Sequence, residues 1–66
     1  MSSTQDTLVR MANQIAANLA HEDDPAAATA EHIRLFWDPR MKTGIKAHGS
    51  EGLSPVAAEA VSLLDS

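Results

Sequence analysis

The sequence predicts an all-α fold, a small helical bundle of three main helices with a short additional one. Three observations carry that prediction. Apolar residues recur at helical spacing along most of the chain. Every proline follows a residue able to cap a helix, in Asp24-Pro25, Asp38-Pro39 and Ser54-Pro55. No long stretch alternates with period two, and β-branched residues are sparse, so strands are not expected.

The first helix is read from Leu8, Met11, Ala12, Ile15, Ala16 and Leu19, which share one face of a 3.6-residue period. Asp6, Arg10, Asn13 and Ala17 form the opposite face, with Asp6 and Arg10 four apart as an ion pair would need. That placement makes Asn13 a solvated residue or a hydrogen-bonding contact to a partner, and Gln14 is read the same way. Ser3 or Thr4 supplies the cap, and the helix ends near Ala20 or His21, before the acidic run Glu22-Asp23-Asp24.

The second helix begins at Pro25, because a residue before proline avoids helical geometry and proline suits the first helical position. It opens on Ala26, Ala27 and Ala28, strong helix formers, and buries a stripe of Ala26, Ala30, Ile33 and Trp37. The small alanines permit close approach of another helix, or pairing of two copies of the chain. The third segment runs from Pro39 to about His48, with Met41 and Ile45 on one face. Gly44 within it weakens the helix by roughly 1 kcal/mol relative to alanine. Gly49-Ser50-Glu51-Gly52 reads as a turn, and a last short helix spans Pro55 to about Leu64 on a stripe of Val56, Ala57, Ala60, Val61 and Leu64.

A chain of 66 residues is one domain, residues 1–66. At that size only about 60% of the unfolded surface is buried, so stability is marginal. Cysteine is absent, which removes disulfides and thiolate metal sites. Helix packing or a partner protein must supply the rest. No apolar run approaches the ~20 residues of a membrane helix, and Met1 to Arg10 lacks a signal-peptide pattern, so a cytoplasmic location is expected.

The formal charge of −4 is unevenly spread. Arg34, Arg40, Lys42 and Lys46 against Asp38 leave +3 in one strip, and Arg10 against eight acids leaves −7 elsewhere. The strip suits either solvent or an acidic protein surface. The overall sign disfavours generic nucleic-acid binding, which depends on phosphate neutralisation. His21, His32 and His48 lie in three separate segments without metalloprotease spacing. No glycine-rich phosphate loop or supported Ser/His/Asp grouping occurs. The expectation is no catalytic, cofactor-binding or metal-binding residue in this chain.

The distinctive string is Glu31-His-Ile-Arg-Leu-Phe-Trp-Asp-Pro-Arg-Met-Lys42, with Leu8-Val-Arg-Met-Ala-Asn-Gln-Ile-Ala16 upstream. In order and spacing, over Leu8 to Leu64, the chain resembles the delta-subunit family of cytoplasmic molybdenum-dependent, NAD-linked formate dehydrogenases. One departure is Gly44-Ile45 where that family tends to carry an aliphatic pair before Ala47-His48, which bears on the length and rigidity of the third helix. The resemblance implies a non-catalytic accessory subunit that assembles, matures or stabilises the complex. It implies large partner subunits carrying the molybdenum cofactor, iron–sulfur clusters and FMN, with the molybdenum-containing one first among them. The alternative from another class is a small helical DNA-binding regulator, which the +3 strip would serve.

Partner-binding candidates are Arg34, Phe36, Trp37, Arg40 and Met41. Arginine and aromatic side chains are enriched at interface centres. Trp37 continues the buried stripe, and its neighbour Phe36, about 100° round the helix, fills a side of the core or faces a partner. Asp38 is assigned to capping the third helix.

Overall fold

The computed structural model describes residues 4–64. In chain order these form α1 (Thr4–Asn18), α2 (Pro25–Phe36), α3 (Pro39–His48) and α4 (Pro55–Leu63), with no strand among the described residues. The all-α bundle expected from the sequence is therefore present, and the fourth helix is as regular as the third.

The three proline-marked starts are capped as their chemistry requires. The Asp24 carboxylate accepts from the Ala27 N–H at 3.2 Å, Asp38 from Met41 at 2.9 Å, and the Ser54 hydroxyl from Ala57 at 3.3 Å. Each bond satisfies one of the orphan donors of a first turn, and proline occupies a position where no donor is needed. Thr4 is the first described helical residue, so it does not cap from outside, and Ser3 lies outside the described residues. α1 ends at Asn18, two residues short of Ala20. Beyond it the chain tightens into turns, with Ala20 N–H on Ala17 O at 3.4 Å and Glu22 N–H on Leu19 O at 3.0 Å.

The core joins all four helices: Leu8, Ala12 and Ala16 from α1, Ile33 at the end of α2 with Trp37 just beyond it, Ile45 from α3, and Ala57 and Val61 from α4. α2 packs most extensively on α4. Ala26 and Ala30 on α2 and Ala57 and Ala60 on α4 are all buried. Alanines carry little side chain to hold backbones apart, so these helices approach closely. The alanine-rich face is used inside the chain, which removes it as a surface for pairing two copies. Thr29 is fully buried on α2, and its hydroxyl has no partner.

Gly44 has a packing role that its helix propensity conceals. A Cβ at this position would stand 2.9 Å from Leu8 Cδ1. The missing side chain lets α3 lie directly on the Leu8 side chain of α1, and α3 still continues unbroken to His48. Gly49 and Gly52 then turn the chain at φ of 83° and 80°, a region other residues adopt at a cost.

Asn13 fixes the position of the α3–α4 connection. Its amide Nδ2 donates to Gly52 O at 2.9 Å, and its Oδ1 accepts from Ser54 N–H at 2.8 Å. This half-buried side chain thus mimics a short strand pairing between α1 and the entry to α4. The expectation of a solvated or partner-bonded Asn13 is corrected: its donor and acceptor are both engaged within the chain.

Candidate docking surface

The strongest surface feature lies where α2 ends. Leu35 is 68% exposed and Phe36 72% exposed, side by side, while Trp37 is 6% exposed. The helical phase explains the contrast. Trp37 follows Ile33 by four residues and joins the core, with its N–H still bonded to Ile33 O at 2.9 Å. Phe36 and Leu35 are carried round toward solvent. Of the two core-or-partner alternatives for Phe36, the structure removes the core. Its ring packs against His32, one turn earlier, with centroids 4.7 Å apart and planes tilted by 37°.

Phe36 forms a wall of two depressions. One, of about 550 Å³, is bounded by Met11 and Ile15 of α1, His32 and Phe36 of α2, and Met41 of α3, with Trp37 at its edge. Arg10 and Gln14 also line it, and both are exposed. The second, of about 370 Å³, is bounded by Leu19, Ala28, His32, Leu35 and Phe36, with Glu22 and Glu31. Met11 is 38% exposed, so the first depression is an apolar surface open to a visitor rather than an enclosed cavity.

The remaining sequence candidates fall nearby but not all together. Met41 is half-buried and lines the first depression. Arg34 lies on a separate cleft of about 290 Å³ with Lys42, Lys46 and Leu64. Lys42 Nζ donates to Arg34 O at 3.2 Å, so a lysine of α3 covers a carbonyl of the last turn of α2. Arg40 is exposed at the start of α3 and borders neither depression. The spacing of Met11, Ile15 and Leu19 predicts a core stripe; the packing of α1 on α2 shows that they also line these two depressions. Among the described residues no three His, Cys, Asp or Glu side chains stand close enough to hold a metal ion. No helix among them is long and apolar enough to cross a membrane.

No match to a curated protein and none to a solved structure was found. The profile of the NADH-dependent formate dehydrogenase delta subunit family, FdsD, matches residues 7–61, from the first turn of α1 to Val61 of α4. That match takes in all four helices and both strings on which the resemblance rested, and the chain belongs to the formate dehydrogenase delta-subunit family FdsD.

Proposed function

We propose that this chain is a non-catalytic subunit that holds its formate dehydrogenase complex in the assembled, active form by docking on the molybdenum-containing large subunit. Membership of the family makes other subunits of the complex its partners. The observation that carries the docking role is the adjacent exposure of Leu35 and Phe36 beside an apolar depression. Burying such a side chain is worth roughly 1.5–3 kcal/mol, so a small domain that leaves two uncovered forgoes stability it needs. A partner that covers them recovers it. In this reading the molybdenum cofactor, the iron–sulfur clusters and FMN belong to the other subunits. This chain supplies surface, not chemistry.

The test is a strain lacking this chain. Formate-dependent NAD reduction is measured in extracts, and molybdenum content and subunit association on the purified large subunits. The proposal expects activity to fall because the subunits separate, with molybdenum retained in the large subunit. A fall in molybdenum with the complex intact would assign the chain to cofactor insertion instead. Unchanged activity and association would overturn the docking role.

A further inference from the structure

The two depressions adjoin at His32 and Phe36, which line both, and the rest of their lining is regular. On α1, Met11, Ile15 and Leu19 are spaced four apart, and on α2, Ala28, His32 and Phe36 are spaced four apart. Met11 and Ile15 line the first depression and Leu19 and Ala28 the second, while His32 and Phe36 line both. Rows of that spacing are the ridges against which another helix packs. From Met11 to Leu19 the groove rises about 12 Å, the length of two to three helical turns.

The ends differ in charge. Arg10 stands at the first depression, and Glu31 and Glu22 stand at the second, the Glu22 carboxylate lying 3.1 Å from His21 Nε2. Between His21 and Ile33 the sequence holds Glu22, Asp23, Asp24 and Glu31 and no lysine or arginine. A visitor therefore meets a cation at one end and carboxylates at the other.

Resting on the docking role proposed above, we infer that the α1/α2 groove takes a single amphipathic helix of another formate dehydrogenase subunit. One apolar side chain enters each depression, on either side of the His32–Phe36 wall. An Asp or Glu of that helix lies toward Arg10, and a Lys or Arg lies toward Glu22 and Glu31. A second copy of this chain is the competing occupant, and the crosslinks separate it from a helix of another subunit.

The experiment uses the full chain and the large subunits purified from a strain lacking it. A photo-reactive residue is placed at Gln14, on the first depression, or at Leu35, on the second. Both are exposed, so the fold tolerates the change, as a thermal melt verifies. The expected result is two crosslinks into one helical segment of one subunit, about one to two turns apart. The acidic residue lies nearest the Gln14 crosslink and the basic residue nearest the Leu35 crosslink. Phe36→Ala is expected to weaken association about thirtyfold, as for a central aromatic anchor. Arg10→Glu weakens it about tenfold, and reversing the facing acidic residue restores it. Crosslinks into two unrelated segments, crosslinks into a second copy, or wild-type affinity in both variants would overturn the groove assignment while leaving docking itself standing. If the unmodified chain fails to bind the large subunits, the docking role falls first.

Discussion

Replacing Asn13 by alanine removes two hydrogen bonds that tie residues far apart in sequence, to Gly52 O at 2.9 Å and from Ser54 N–H at 2.8 Å. Each such bond contributes about 0.5–1.5 kcal/mol net, and the part-buried Ser54 donor is left without its acceptor. The expected loss is about 2 kcal/mol. A domain of this size has a total stability of roughly 3–10 kcal/mol, so the loss is a large fraction. In a thermal melt followed by helical circular dichroism, it corresponds to a fall in Tm of roughly 8–16 °C. Asn13→Asp sharpens the test. The carboxylate still accepts from Ser54, but its other oxygen now faces Gly52 O, acceptor against acceptor, where the amide donated. Asn13→Asp is therefore expected to be no better than Asn13→Ala at neutral pH. If either variant unfolds within about 0.5 kcal/mol of the wild type, the range of an ordinary surface change, Asn13 does not hold the α3–α4 connection.

Three further substitutions test the packing and the surface. Thr29→Val removes a buried hydroxyl without a partner while keeping the shape, and is expected to raise stability by about 1 kcal/mol in urea titration; a loss would show that the hydroxyl is bonded. Gly44→Val forces a side chain onto Leu8 and is expected to cost about 1–3 kcal/mol, a cost that shrinks in a Leu8→Ala background; equal costs in both backgrounds would separate the two residues. Phe36→Ser is expected to leave stability within about 0.5 kcal/mol yet lower recovery of the chain with the large subunits in affinity purification, whereas a large loss of stability would return Phe36 to the core.

Much of the fold was legible because its punctuation is local. Asp24-Pro25, Asp38-Pro39 and Ser54-Pro55 each combine a capping oxygen with a ring that fixes the first helical turn, so three starts follow from neighbouring residues alone. The stripes of α2 and α4 were legible for a similar reason: a 3.6-residue period needs no knowledge of what lies opposite. What was not legible depends on residues distant in sequence. Asn13 sits on the polar face of α1, and nothing near it announces that Gly52 and Ser54 return to meet it. Gly44 looked like a weak helical residue because propensity counts backbone freedom and not the proximity of Leu8. The apolar period predicts an α1 that runs past its true end, because Leu19 continues the period and no glycine or proline marks the stop at Asn18.

The docking surface shows the same division. Trp37 as a buried residue followed from the spacing of Ala26, Ala30 and Ile33. The sequence leaves Phe36 open between core and partner; Ile33 and Trp37 take the core-facing phase at the end of α2, and Phe36 is carried round to the surface. Arg34, Phe36, Arg40 and Met41 are close in sequence, yet the structure spreads them. Phe36 and Met41 share a depression, Arg34 lies on another cleft with Lys42, and Arg40 borders neither depression. The residues that complete the groove, Met11, Ile15 and Leu19, come from the other end of the chain.

The most direct test of the docking account is complementation of the deletion strain with the wild-type chain and with Phe36→Ser, reading the association of the large subunits and formate-dependent NAD reduction together. The account predicts that wild type restores both and that Phe36→Ser, folded and present at equal level, restores neither fully. Full restoration of both by Phe36→Ser would contradict the claim that the exposed end of α2 is where this subunit holds its complex.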